Sequence, residues 1–431
     1  MQNEAALADK TESQGSAEQA DVSAPVRNMT PQEEITASFE HWRYAVASLQ
    51  NMAQDLCSRF PQEREARYLL ADVLRSTGKE DLALAEYQSL LEQCPPNELH
   101  RVKQGLDQCQ ADRAYFPPFF AERLNTAEYA SGHNAEVWRA YARREIQRGR
   151  EIVRSLRQIT TLRGKRVLDV GAGYGGMLLC MAEQGAEVTG VEIDPERASM
   201  GKQRLSELGM RIDYQEGDIC APEVAARLGE FDVIVCQDVL EHVLDPTTVI
   251  RSLCSLLRPG GIIYVQIPNK YGVDQLMCDH HYGLTGITAL SRPQAIEYWQ
   301  LATGEKAEHY GVGYERGEKF YAAAFGRCGV QLQPLDRFAS MDHLLWYAPR
   351  VSEMCKRLES GIYPGLRPEL EKRIRHRMTR VAQLYAHASQ QIIQWQDQPP
   401  LMAEACDAVV RQLCVGLWRF LGTKPATAPT P

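Results

Sequence analysis

The chain has 431 residues, 44% of them hydrophobic, and a formal net charge of −8. That length allows two or three domains with a substantial core, and the acidic balance argues against holding polyanions by bulk electrostatics, so nucleic acid is not an expected partner. No leader-like N-terminus and no apolar run long enough to span a bilayer is present, and the twelve cysteines, scattered without a C-x-x-C pair, read as reduced core thiols. The expectation is a cytoplasmic protein without a disulfide frame or zinc site.

Residues 1–30 are rich in Ala, Glu, Gln and Ser with few large apolar groups, the composition of a disordered tail. Residues 31–112 read as helical. Within them Leu70-Ala71-Asp72-Val73-Leu74, then Gly78, Ala83, Tyr87, Leu90 and Pro95, follow the tetratricopeptide pattern of small and large residues, and Pro61 and Pro95 stand 34 positions apart (95 − 61 = 34), the period of that repeat. One helix pair, with a half-unit stacked before it around Trp42 to Cys57, cannot bury its own apolar face and must dock on the connector, the following domain or another chain. Residues 113–160 read as a connector and a cap helix. An amphipathic helix is expected from Asn134 to Arg163, with Trp138, Tyr141, Ile146, Ile152 and Leu156 among its apolar contacts and arginines between them.

The next stretch carries the chemistry. Val167 to Val170 form an apolar strand with one carboxylate, Asp169, and run into Gly171-Ala172-Gly173-Tyr174-Gly175-Gly176 and an apolar helix. Glycines serve such a turn because its backbone angles exclude a Cβ and the main chain must approach a ligand and the helix closely. Gly171, Gly173 and Gly176 also satisfy the dinucleotide fingerprint, with Glu192 at about the required distance. Against that reading, Asp169 lies inside the strand, where a buried carboxylate needs a donor. Val188 to Asp194 then form a second strand ending in an acid. Glu216-Gly217-Asp218-Ile219 follow a third, Phe231 to Gln237 form a fourth that leads into Asp238-Val239-Leu240-Glu241-His242, and Arg258-Pro259-Gly260-Gly261 precede a fifth, Ile262 to Asn269.

In this order the blocks resemble the Rossmann-like S-adenosyl-L-methionine-dependent methyltransferases. The resemblance implies an α/β fold with a seven-stranded, mostly parallel sheet over residues 161–349, flanked by the helical N-terminal region and a helical C-terminal region, 350–422, before a low-complexity tail, 423–431. It implies that Asp169 meets the cofactor's methionine ammonium, that Gly171, Ala172, Gly173 and Gly175 form the turn around it, and that Glu192 binds the ribose hydroxyls beside Ile193. Asp218 would accept from the adenine amino group, Ile219 would pack on the ring, and Gln237 would line the site at the end of the fourth strand.

Acceptor chemistry is sought in the loops after the fourth and fifth strands. The fifth strand is followed by an insertion of about fifty residues, a length typical of lids and binding loops. It holds Asp279-His280-His281-Tyr282, an expected helix from Ser291 to Leu301 and the turn Tyr310-Gly311-Val312-Gly313-Tyr314. His280 and His281 are the candidate general bases, because two imidazoles beside a carboxylate can place a titrating group near neutral pH. A rival group, Asp238, Glu241 and His242, resembles the acid-x-x-Glu-His pattern by which ubiquinone-pathway O-methyltransferases can hold a divalent metal, although such a Glu-His pair also serves merely to fix a helix start; no metal is assigned. Asn269 after Pro268 reverses the order found in amino-methylating enzymes, which disfavours base N-methylation. In the last helical region, Leu370, Ile374, Met378, Val381, Tyr385, Ala388, Ile392 and Trp395 form one buried stripe, and Lys372, Arg373, Arg375, Arg377 and Arg380 an opposite, solvated face.

The leading expectation is methyl transfer to a small-molecule, glycan or other metabolite acceptor, most simply a hydroxyl. The alternatives are a tetratricopeptide-like scaffold that binds the cofactor without catalysis, and a methyltransferase acting on a docked protein.

Overall fold

The computed structural model describes residues 46–76, 79–124, 126, 135–395 and 397–426, with backbone alone for 46–52, 76 and 135–140. The expected disordered start, Trp42, Gly78 and most of the final tail lie outside the described residues, as does the Trp138 side chain. Four helices, Val46–Arg59, Arg64–Ser76, Glu80–Gln93 and Leu99–Arg113, pack in succession. Tyr87 is 1% exposed and lies where a Cβ on Gly105 of the next helix would come within 2.4 Å of its ring, a large residue seated on a small one. The helix Ala135–Leu156 then crosses to pack on Gly176–Ala182. It ends seven residues before Arg163 (163 − 156 = 7), because the chain must turn at Gly164, with φ +69°, to enter the sheet.

Seven strands form one sheet: β1 (Arg166–Val170), β2 (Glu187–Glu192), β3 (Asp213–Glu216), β4 (Phe231–Gln237), β5 (Leu257–Pro268), β6 (Gln331–Pro334) and β7 (Leu417–Thr423). Their order is β3-β2-β1-β4-β5-β7-β6. The pairings from β3 through β5 are parallel, and β7 runs antiparallel to both β5 and β6. Val167, Leu168 and Val170 are all buried, as a strand covered on both faces requires. Two caps start the crossover helices on the binding side. Asp194 accepts from Arg197 N at 2.9 Å and Asp245 from Thr247 N at 3.0 Å, each with proline at the first helical position. The Pro-Gly-Gly turn does not precede β5 but lies within it, where the pairing with β4 shifts register after Phe231.

The sheet corrects the expected boundary at residue 349. The strand between β5 and β6 comes from Leu417–Thr423, the end of the segment read as helical and the first residue of the expected tail, so the helices Met341–Trp346, Ala348–Ser360, Pro368–Ile393 and Pro399–Val409 form an excursion between β6 and β7. Without β7, β6 has no neighbour in the sheet. Burial alternates along β7, with Trp418 and Phe420 turned into the core. The 368–393 helix buries Leu370, Ile374, Met378, Val381, Tyr385 and Ile392. On its opposite face Arg375 bonds Glu371, and Arg377 stacks on Tyr271 at 4.2 Å, so two of the five basic residues are engaged. Asn269 is structural. Its fully buried amide donates to Val415 O at 2.9 Å and to Arg411 and Gln412 O, holding the entry to β7.

Because Phe420 is 2% exposed on a strand inserted between β5 and β6, Phe420→Ala should cost about 3–5 kcal/mol. Urea denaturation measures this, and a loss under about 1 kcal/mol would contradict the insertion of β7 between β5 and β6.

Candidate active site

The turn after β1 holds three glycines at positive φ, Gly171 (+74°), Gly173 (+54°) and Gly175 (+80°). Close approach matters as much as angle. A Cβ on Gly173 would sit 2.6 Å from Glu145 Oε1, and one on Gly176 would sit 2.4 Å from Glu145 Cβ. Glu145 comes from helix 135–156 and accepts from Tyr174 N and Gly176 N, both at 2.9 Å, and from Arg204 at 3.2 Å. It thus caps the helix 176–182, whose own N-cap, Gly175, has no side chain.

Around this turn stand three buried acids. Asp169 is 4% exposed, and burial, then the charges of Glu145 and Glu192, push its carboxyl well above the usual range. Glu192, also 4% exposed, accepts from Gly173 N and Asp194 N at 2.9 Å each. Such a concentration of acid favours a cationic guest. One arginine already enters: Arg148 from helix 135–156 pairs with Asp238. Gln237, with its amide oriented to satisfy its neighbours, accepts from Arg148 and from Gln266 Nε2. Tyr141, Glu145, Arg148, Asp169, Gly171, Ala172, Met177 and Gln237 line a cavity of about 20 Å³. That is far below the volume of a nucleoside, and helix 135–156 forms one wall of it through Tyr141, Glu145 and Arg148. A larger cleft, about 450 Å³, lies on another side of this helix among Arg150, Arg154, Arg157 and Glu183, and shares no residue with the turn.

Two of the other predicted cofactor residues, Ile193 and Asp218, are exposed, and the third, Ile219, is buried. Ile193 is 66% exposed just past Glu192. Asp218 is exposed and accepts from Cys220 N at 2.8 Å. Ile219 is 6% exposed and packs in the core with Val224 and Leu228.

The loop after β5 brings its histidines to the end of β4, but not as expected. Asp279 spends its carboxylate on the backbone N–H groups of His281, Tyr282 and Leu284, at 2.7–3.0 Å, and burial holds it up at about 6. Burial lowers both imidazoles: His280 falls to about 4, and His281 well below its ordinary value. Desolvation therefore wins over the neighbouring carboxylate, and the expected titration near neutrality is reversed. His280 is further held by Gln275 at 2.9 Å. His281 instead meets His242 edge-on, with ring centroids 5.0 Å apart.

The rival group is likewise rearranged. Asp238, the one non-glycine residue at positive φ among the described residues, faces Arg148 and Gln266, and His281 takes its place beside Glu241 and His242. Ligand atoms of Glu241, His242 and His281 lie within 4.8 Å of one another. Both Glu241 oxygens are buried without a hydrogen-bond partner, and burial with the Asp238 charge raises its carboxyl well above the usual range. His242 Nδ1 lies 2.9 Å from Gly311 O, so as a donor there it leaves Nε2 a free lone pair, and burial keeps the ring neutral. An orphaned carboxylate beside two neutral imidazoles is a donor set that fits a divalent cation.

Sequence reasoning missed Glu145, Arg148 and Arg204. The one signal available was that polar residues of the cap helix recur three apart. Glu145→Ala would leave Arg204, with no exposed surface, uncompensated, and should cost about 3–5 kcal/mol in urea denaturation. Wild-type stability would show that the turn does not depend on this clamp.

A methyltransferase-domain family model matches residues 138–311. The ubiquinone biosynthesis O-methyltransferase of Dechloromonas aromatica (strain RCB) is 32% identical over 176 residues, which is 38% of this chain and 75% of the relative. That of Escherichia coli O6:H1 is 38% identical over 155 residues, 34% of this chain and 64% of the relative. Among solved structures, the magnesium protoporphyrin IX methyltransferase of Synechocystis PCC 6803 with bound S-adenosylhomocysteine has a TM-score of 0.34 and 17% identity, covering 52% of this chain and 90% of that one. No described helix is long and apolar enough to cross a membrane. With its glycine turn, the acid ending β2 and the matched relatives, the chain belongs to the S-adenosyl-L-methionine-dependent methyltransferase family.

Proposed function

We propose that the enzyme methylates a hydroxyl of a small-molecule acceptor brought to the ends of β4 and β5. The observation that carries this reading is the buried, unpartnered carboxylate of Glu241 beside His242 and His281. The names of the O-methyltransferase relatives support oxygen as the receiving atom.

In this reading Asp169 meets the cofactor's ammonium, Gly171, Ala172, Gly173 and Gly175 surround its methionine end, and Arg148 leaves Asp238 to face the methionine carboxylate. Glu192 holds the ribose, while Ile193, Asp218 and Ile219 serve the adenine and Gln237 the cavity wall. The sulfonium methyl is already activated, so the protein's part is to set an oxygen in line with it and take up the proton. His281, neutral because it is buried, presents a free base to that proton. The Gly311 carbonyl fixes the ring of His242 beside it, and Asp279 braces the loop on which His281 rides. A divalent cation held by Glu241, His242 and His281 would instead lower the pKa of an acceptor hydroxyl, with His281 then a ligand and not the base. The region 46–113 contributes no catalytic residue on this reading; it offers a protein-docking surface of the tetratricopeptide-like kind.

Release of S-adenosylhomocysteine on a panel of phenols, sugars and amines tests the acceptor class. Hydroxyl compounds should be turned over, and Glu241→Gln and His281→Ala should each lower kcat by about 10²-fold or more while cofactor affinity stays within about twofold. Turnover confined to amines, or full activity in both variants, would overturn the reading.

Cofactor binding should also release protons. Burial and its acidic neighbours raise the Asp169 carboxyl well above its ordinary value, and a cation placed against it lowers its pKa. Affinity therefore rises with pH up to the free-state pKa of Asp169 and levels off above it. Calorimetry at mildly acidic pH, in buffers of different ionisation enthalpy, should show proton loss from the protein. Proton uptake would reverse the assignment of Asp169.

A further inference from the structure

Helix 135–156 faces two ways. Glu145 and Arg148, three positions apart and so on one face, enter the cofactor site. Gln147 and Arg150, again three apart, lie on the opposite face, and both bond Asp112 of helix 99–113. Gln147 Nε2 is 3.2 Å from Asp112 Oδ2, Arg150 Nη1 pairs with Oδ1, and Arg75 of helix 64–76 reaches Oδ2 at 3.2 Å. Asp112 has no exposed surface. A carboxylate so buried requires its partners, and here they come from both the N-terminal helices and the cap helix. A side branch strengthens the joint: Tyr115, just beyond helix 99–113, lies 5.5 Å beneath the Arg150 guanidinium, and its hydroxyl bonds Glu183 at the end of helix 176–182.

We propose that Asp112 is a positioning residue for cofactor binding: by gripping Gln147 and Arg150 it fixes the rotation and height of helix 135–156, and so where Arg148 stands against the glycine turn. The N-terminal helices are then part of the cofactor site's frame, and whatever docks on them is felt as a change in cofactor affinity. This rests on the reading that Arg148 faces the ligand.

The test uses the full chain and S-adenosylhomocysteine as a non-reacting probe. Asp112→Asn keeps the shape and removes the charge; its dissociation constant should rise at least about fivefold, with hydrogen exchange accelerated along residues 135–156. In an Arg148→Ala background the same substitution should change affinity by less than about twofold, because its route to the ligand is gone. Should Asp112→Asn fail to fold, Arg150→Ala, which leaves Asp112 paired with Arg75 and Gln147, carries the same expectation. Wild-type affinity in a folded variant, or an equal loss in both backgrounds, would overturn the proposal. Unchanged affinity in Arg148→Ala alone would instead sink the reading of the pocket, and Asp112→Asn with its exchange pattern would then decide the coupling by itself.

Discussion

Glu145 holds the site together. A turn of closely spaced glycines has no side chains with which to cap the helix it feeds, and the N–H groups of Tyr174 and Gly176 would otherwise lack partners. The missing acceptor is supplied from another element, and the glycines are needed partly because that element comes so near. Arg204 compensates the imported charge, while its own burial forces it to keep a partner. The candidate cofactor site is therefore a three-part structure, in which strand, turn and cap helix each lack something that another provides.

That arrangement explains the electrostatics. Glu145, Asp169 and Glu192 crowd around one turn; two of them are tied to backbone N–H groups, and burial with its acidic neighbours raises the carboxyl of the third well above the usual range. A guest carrying ammonium and sulfonium charge relieves the crowding, which a neutral or anionic nucleoside cannot do. At the far side of Asp238 the same logic recurs: Glu241 is buried without a partner, and the two imidazoles beside it are kept neutral by desolvation.

The parts of this design legible in the sequence are those in which the signal is local. Asp169, the glycines and Glu192 stand within one strand–turn–helix–strand unit, where spacing and residue type suffice. Glu145, Arg148 and Asp112 were not legible, because their partners lie between 29 and 90 positions away and an amphipathic pattern records only that one face is polar. Strand β7 was missed for a different reason. Leu417 to Thr423 alternate buried Trp418 and Phe420 with half-buried Leu417 and Leu421, so a period of two is masked by apolar residues on both faces. The histidines failed on sign: adjacency to Asp279 was visible, but not that the carboxylate is spent on loop amides, or that burial outweighs it.

The most direct measurement is calorimetric titration of S-adenosylmethionine into the wild-type chain and Asp169→Asn. A carboxylate that meets the ligand's ammonium predicts saturable one-to-one binding to the wild type and a loss of roughly tenfold or more in the variant. No saturable heat in the wild type, or equal affinity in the two proteins, would contradict the acidic cradle on which the account stands.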